Sequence, residues 1–283
     1  MPDNHVQTSP EPTDRDASGP EHVLVTYGSG EQQTAPWTDV RTLIWPELGT
    51  LLTQHRIGDK TGTCIVPATF RGTKRRAADA ERIEIVMLDS DAGATLEEIA
   101  AAIEARGWAA IVSSTHSHLS TRTRSKRGTY ENWLAKTYPD GPDDDAVETF
   151  LVEDKGMMAR VAAGATVADQ GEVYFSFEHA PCPKFRITLR LERPWVASSY
   201  DSQKQANDAW GDCIKAVAAA LDLRHDESCS DTSRLFYMPR RPADGPPAET
   251  KIIEGAACDI FALPKVKPPE PSRLRKFGWS NRF

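Results

Sequence analysis

The sequence predicts an α+β fold, and three groups of segments carry that reading. ERIEIVMLDSD (81–91), TLEEIAAAIEARG (95–107) and WAAIVSSTHSH (108–118) follow one another as strand, helix and strand. EVYFSF (172–177) and KFRITLRL (184–191) alternate apolar and polar residues with the period of two shown by a half-buried strand. SQKQANDAWGDCIKAVAAAL (202–221) repeats its apolar residues at helical spacing, with Ala206, Trp210, Ile214, Val217 and Leu221 on one stripe.

The remaining elements fall around these. Residues 1–20 are rich in Pro, Ser, Asp and Glu and are expected to form a disordered acidic tail. PWTDVRTLIWPELGTLL (36–52) looks like a helix interrupted at Pro46, and GTCIVPATF (62–70) like a strand with an irregularity at Pro67. In 81–91, Ile83, Ile85 and Met87 alternate with Glu84, Val86 and Leu88, so this strand is expected to be buried on both faces near its end. Thr95 and Glu98 form a capping box for the next helix, Leu96, Ile99 and Ile103 make its buried stripe, and Gly107 stops it. Residues 119–170 mix basic, acidic and helix-like pieces and are expected to be an insertion. EHAPCP is expected to be a Pro-containing turn between the two alternating strands, and SRLFYMP (233–239) a strand closed by proline. Residues 262–283 look like a Pro-rich basic tail, leaving 21–261 as one folded domain.

A chain of 283 residues suits one large domain with extensions. No stretch reaches the roughly 18 apolar residues of a membrane span, and the N-terminus has neither the basic start nor the apolar core of a signal peptide. No membrane partner is expected. The cysteines Cys64, Cys182, Cys213, Cys229 and Cys258 are odd in number, far apart and without a C-x-x-C pair. Neither a disulfide framework nor a zinc site is expected, since His179 and Cys182 alone do not make one, and a reducing cytoplasm fits. The net charge of −7 taken alone disfavours nucleic-acid binding. Base nevertheless collects in RGTKRR (71–76), TRTRSKR (121–127), KFRITLRLER (184–193), PRR (239–241) and the C-terminal tail. Local basic segments of this kind can bind a polyanion on an acidic protein.

Candidate chemistry is concentrated in four clusters. The first ends a strand, in IVMLDSDAG (85–93). Side chains two apart on a strand point the same way, so Asp89 and Asp91 share a side. Two neighbouring carboxylates raise each other's pKa. Mg2+ or Mn2+ would remove that cost, taking oxygen ligands from the protein, from water and from substrate phosphates. The second cluster holds Ser114, Thr115, His116, Ser117 and His118, hydroxyls and imidazoles able to contact phosphate. In the third, Lys184, Arg186, Thr188 and Arg190 share one strand face, a line of fixed cations suited to a triphosphate or a nucleic-acid backbone. The fourth runs from His225 and Asp226 through Asp231 and Arg234 to Pro239. It offers a further carboxylate just before a strand, although Asp231 suits a turn equally well.

Taken in order, these clusters resemble the primase-polymerase domains of the archaeo-eukaryotic primase superfamily, especially its phage and plasmid branch. The first motif of that family is a strand ending in D-x-D or D-x-E, matched by Asp89 and Asp91. Its second is a Ser-x-His element in the next part of the sheet. Its third is a hydrophobic residue and an aspartate, followed by an Arg-containing strand ending in proline, matched in order by Asp226, Asp231, Arg234 and Pro239. The resemblance covers about residues 55–245. The chain departs from the pattern in three places. Ser114-Thr-His116 and His116-Ser-His118 both fit the second motif. About 65 residues then separate it from the KFR strand. His225 stands where an aliphatic residue is expected, which keeps Asp231 as a rival third ligand.

The resemblance implies an RRM-like antiparallel sheet with helices on one face, joined to an N-terminal α/β unit. It implies a DNA primase/polymerase for phage or plasmid replication, acting on a single-stranded DNA template with nucleoside triphosphates. Asp89, Asp91 and Asp226 would hold two Mg2+ or Mn2+ ions. Ser114, His116, Ser117, His118, Lys184, Arg186 and Arg234 would hold the triphosphate. The basic segments would track the template, and Trp133, Phe185 and Phe236 would be available to stack bases. A helicase partner would be separately encoded. Two rival readings use the same residues: a non-catalytic single-strand-binding replication protein, and a metal-dependent nuclease.

Overall fold

The computed structural model describes residues 22–29, 36–224 and 226–266. The expected acidic tail at 1–20 and residues 267–283 of the expected basic tail lie outside the described residues. The fold is α+β, built from antiparallel sheets and helices.

The chain opens with β1 (His22–Ser29) and β2 (Asp39–Ile44), an antiparallel pair, and α1 (Trp45–Thr53) follows at once. The single helix expected over 36–52 is therefore corrected to a strand and a helix. Val40, Thr42 and Ile44 are β-branched and favour an extended chain. Pro46 sits in the first turn of α1, where its missing N–H would be unpaired in any case. Next come β3 (Arg56–Ile57), β4 (Thr63–Val66) and β5 (Ala68–Phe70). Pro67 divides β4 from β5, and the two pieces join different sheets.

β6 (Ala80–Ser90), α2 (Leu96–Ala105) and β7 (Ala110–Ser114) form the expected strand, helix and strand. The capping box is present: Glu98 N donates to Thr95 Oγ1 at 3.2 Å, and Thr95 N donates to Glu98 Oε2 at 2.9 Å. Residues of β6 from Ile83 to Ser90 are buried, as the sequence pattern predicts.

β8 (Ser120–Lys126), α3 (Arg127–Thr137), α4 (Ala146–Glu153), α5 (Ala159–Ala162), β9 (Thr166–Gln170) and β10 (Tyr174–Cys182) build a separate layer. It has its own sheet, in the order β8-β10-β9, and its own core around Tyr130, Phe150, Met157, Val161 and Phe177. EHAPCP is not a turn. β10 runs through it with an irregularity between Glu178 and Cys182, which is where a strand tolerates proline. β10 also does not pair with β11 (Phe185–Val196), the strand that follows it.

α6 (Gln203–Ala220), β12 (Phe236–Tyr237), β13 (Arg240–Arg241) and β14 (Thr250–Ile253) complete the chain. All five expected stripe residues of the long helix are buried. Burial of the larger ones stabilises the fold by about 1.5–3 kcal/mol each.

The main sheet has the order β14-β7-β11-β6-β5 with antiparallel neighbours throughout. Two strand–helix–strand units interleave in it: β11 lies between β6 and β7, and β7 lies between β11 and β14. Helices lie on both faces, the one opposite α2 being α1 of the N-terminal unit. A Cβ on Gly49 of α1 would touch Ile252 and Ile111, while Lys251, next along β14, pairs with Glu104 of α2. Adjacent strand residues face opposite ways, so α1 and α2 lie on opposite faces. α6 meets the end of α2, where Arg106 Nε donates to Ala220 O at 3.0 Å. The N-terminal unit is an antiparallel sheet, β12-β4-β1-β2, with α1 beside it. No described helix is long and apolar enough to cross a membrane.

Candidate carboxylate and nucleotide site

Register brings the site together. On the main sheet Arg186 pairs with Asp89 on one side and Ser113 on the other. Strand neighbours opposite one another carry their side chains on one face. Asp89, Arg186 and Ser113 therefore line one edge of a cleft. Asp91 and residues 114–117 continue that edge, and Lys60 with residues 237–240 forms the opposite wall.

Arg186 holds Asp89 in a fork. Nε donates to Oδ1 at 2.8 Å and Nη2 donates to Oδ2 at 3.1 Å, while Nη1 donates to Tyr237 O at 2.7 Å. Both partners are largely buried, with 15% and 11% of their side chains exposed, so the pair is stronger than a surface pair of the same geometry.

Asp226 is docked directly behind Asp89. Asp226 N donates to Asp89 O at 3.2 Å, and Asp89 N donates to Cys229 Sγ at 3.4 Å. The Asp226 carboxylate accepts from Ser228 N at 2.9 Å, from Ser228 Oγ and from Arg234 Nη2 at 3.2 Å. Asp231 does something else: its Oδ1 accepts from Ser233 N at 2.8 Å and from Ser233 Oγ at 2.9 Å, closing a turn. Of the two rivals, Asp226 is the carboxylate that adjoins the pair on β6. Burial and the nearby Asp89 and Asp226 charges push the Cys229 thiol up to about 12, so it is a neutral packing group.

Asp91 is exposed to solvent, with protein crowded around it. Burial raises its pKa most, and the Asp89 and Asp226 charges raise it further, while Lys184 and Lys60 draw it back. Among the described residues no hydrogen bond or ion pair reaches its carboxylate. The donor set therefore suits a hard divalent cation in kind: three carboxylates at one strand end, one of them carrying an uncompensated cost. As they stand, no three His, Cys, Asp or Glu side chains among the described residues converge tightly enough to enclose an ion. Mg2+ does not require that, since one or two carboxylates plus water and phosphate oxygens commonly suffice.

The two histidines separate cleanly. His116 lines the cleft and its Nε2 lies 3.1 Å from Gly58 O. His118 is buried and does not line it. Lys184 N donates to His118 Nδ1 at 3.1 Å, which leaves Nε2–H to donate to Glu249 Oε1 at 3.2 Å. His118 thus pins the start of β11 instead of offering itself to a ligand. Ser114 Oγ accepts from Glu249 N at 3.1 Å, and Ser117 lines the cleft. Thr115 also lines it, with a buried hydroxyl that has no partner among the described residues. Arg234 is spent on Asp226 and does not reach the cleft wall.

The expected stacking aromatics are placed otherwise. Phe185 and Phe236 are fully buried, and Phe236 lies under the Arg186 guanidinium at 4.7 Å. Trp133 packs on Tyr130 and Phe150 in the second core. Several basic segments are also engaged: Arg71 holds Gln203, Arg75 holds Ser233 O, Arg76 pairs with Asp79 and Arg193 with Asp259. The alternating Arg122, Arg124 and Lys126 of β8 remain exposed.

Sequence reading reached residues 237–240 through the fourth cluster and PRR but missed Lys60. Lys60 belongs to GDKTG (58–62), whose glycines at φ +146° and +117° were a turn signal. Nothing local in the sequence tells that this turn faces Asp91.

Comparison with protein-family models, with curated proteins and with solved structures finds no match.

Proposed function

We propose that the chain is a metal-dependent nucleotidyltransferase that extends or starts DNA strands on a single-stranded template, as the primase-polymerase resemblance implies. The observation that carries the reading is the meeting of Asp89 and Asp91 beside Arg186 on one polar cleft, with Asp226, from a separate segment, bonded through its backbone N to Asp89 O. The interleaved strand–helix–strand units support an RRM-like core within the α+β fold.

Asp89, Asp91 and Asp226 would hold Mg2+ or Mn2+, which when bound activates an attacking hydroxyl and offsets phosphate charge. The chain's own residues bind and orient the nucleotide. Arg186 presents a fork of the geometry a phosphate accepts, so a triphosphate competes with Asp89 for it. Lys184 and Lys60 supply positive charge beside Asp91 where negative charge gathers. His116 lines the same wall and is available to phosphate oxygens.

A second reading is a single-strand-binding replication protein without catalysis. One observation favours it: both oxygens of Asp89 are already taken by Arg186. The two readings part on Asp91→Asn. Under the first, nucleotide incorporation needs Mg2+ or Mn2+ and is lost in the variant while single-strand binding persists. Metal-independent binding that the variant leaves unaltered, with no incorporation by the wild type, would establish the second.

A further inference from the structure

The Arg186–Asp89 pair stands where two ligands of opposite charge would compete. Each of the three guanidinium nitrogens of Arg186 donates to the protein: Nε and Nη2 to the two oxygens of Asp89, and Nη1 to Tyr237 O. The Phe236 ring, 4.7 Å away, fixes the guanidinium from a further side. A carboxylate gripped in this way keeps lone pairs. A divalent ion taking them would meet the guanidinium charge at close range. A triphosphate faces the converse difficulty. The fork it would accept already holds a carboxylate, whose charge repels it. Either ligand alone must therefore break the pair, and it leaves a largely buried carboxylate or guanidinium without its partner. Both together leave neither, because the triphosphate takes the fork and the ion takes the carboxylate. Two other charges of the cleft serve as comparisons. Asp91 lines it without a hold of this kind, and Lys60 acts on Asp91 through charge alone.

We propose that Arg186 and Asp89 form an exchange latch: a divalent ion and a triphosphate each bind the cleft weakly alone, and each opens the pair for the other. The proposal rests on the nucleotidyltransferase reading and adds its regulation, since Asp89 holds no ion firmly until a triphosphate has drawn Arg186 away. It gives a role within that reading to the engaged oxygens of Asp89, which otherwise favour a protein without catalysis. Linkage makes the coupling equal in both directions.

The test measures each ligand alone, so that direct contact between ion and phosphate plays no part. Mn2+, followed by electron paramagnetic resonance, titrates wild type, Arg186→Gln and Lys60→Gln. Both variants remove one positive charge from the cleft, and only the first frees Asp89. Mn2+ is expected to bind Arg186→Gln more tightly than wild type, and at least about fivefold more tightly than Lys60→Gln, the lower end of the coupling between linked sites. Inorganic triphosphate in metal-free buffer, followed by calorimetry, titrates wild type, Asp89→Asn and Asp91→Asn. Both of these variants remove one negative charge, and only the first frees Arg186. Triphosphate is expected to bind Asp89→Asn more tightly than wild type, and at least about fivefold more tightly than Asp91→Asn. Circular dichroism checks folding, and if Arg186→Gln does not fold the triphosphate comparison decides alone. A difference below about fivefold within either matched pair, or Mn2+ binding to Arg186→Gln no tighter than to wild type, overturns the proposal. Neither comparison uses incorporation. A wild type that incorporates nothing therefore sinks the nucleotidyltransferase reading, while the two comparisons still decide the latch.

Discussion

Arg186 grips Asp89 through both of its fork nitrogens, at 2.8 and 3.1 Å, while its third nitrogen holds Tyr237 O. One side chain thereby ties β11 to β6 and to the opposite wall of the cleft. Removing it leaves a largely buried carboxylate unpaired. Arg186→Met is expected to cost about 3–5 kcal/mol of stability, measured by urea unfolding. Arg186→Lys keeps the charge but not the fork, and is expected to raise the nucleotide KM about tenfold.

Asp91 gives a pH signature. An acid whose folded pKa is raised holds its proton more tightly in the folded state, so stability is fullest below the unfolded pKa and is lost as pH rises through the folded one. At pH 7 the ionised Asp91 is a cost. Asp91→Asn is therefore expected to melt higher than wild type at pH 7, with the difference vanishing below the ordinary carboxylate range. Added Mg2+ is expected to raise the wild-type Tm and to leave Asp91→Asn nearly unmoved. Thermal melts across pH, with and without Mg2+, check both statements.

The two histidines are expected to fail differently. His116→Ala removes a cleft group and should raise the nucleotide KM about tenfold, with stability within about 0.5 kcal/mol of wild type. His118→Gln breaks the buried link between Lys184 N and Glu249 and should cost about 1–3 kcal/mol of stability. Steady-state kinetics and urea unfolding on both variants separate the roles.

The second layer clamps the carboxylate loop. Met158 N donates to Ala92 O at 2.8 Å, and Arg160 Nη2 donates to Gly93 O at 3.0 Å. Gly93 has φ +106°, and a Cβ there would sit 2.6 Å from Val161 Cγ2. Gly93→Ala is expected to cost about 1–3 kcal/mol and to blunt the Mg2+ response of Tm, because Asp91 is two residues away. Gly107→Ala, also at positive φ but with open space around it, should cost less. Chemical denaturation of the pair checks the comparison.

What the sequence revealed follows from the range of the interactions. The α2 capping box, the buried β6 and the α6 stripe depend on neighbours within a few residues, and all three are found as read. Local signals failed where tertiary pairing outweighed them. Val40 to Ile44 became a strand because β1 lies beside it, and EHAPCP stayed extended because β8 pairs along it up to Cys182. The aspartates and Arg186 were legible as motifs, but which of them meet depends on register. Asp226 and Asp231 look alike in sequence, and the backbone bond from Asp226 N to Asp89 O tells them apart. Residues 237–240 were legible as the end of the fourth cluster and as PRR, but that they and Lys60 line the cleft depends on the sheet order.

The most direct test of the central claim is base-specific incorporation. Wild type and Asp89→Asn/Asp91→Asn would each be given a primed oligo-dA or oligo-dC template, Mg2+ or Mn2+, and one labelled deoxynucleotide at a time. The account predicts dTMP on the first template and dGMP on the second, metal-dependent and absent from the double variant. Equal products from the double variant, or incorporation indifferent to template and metal, would contradict it.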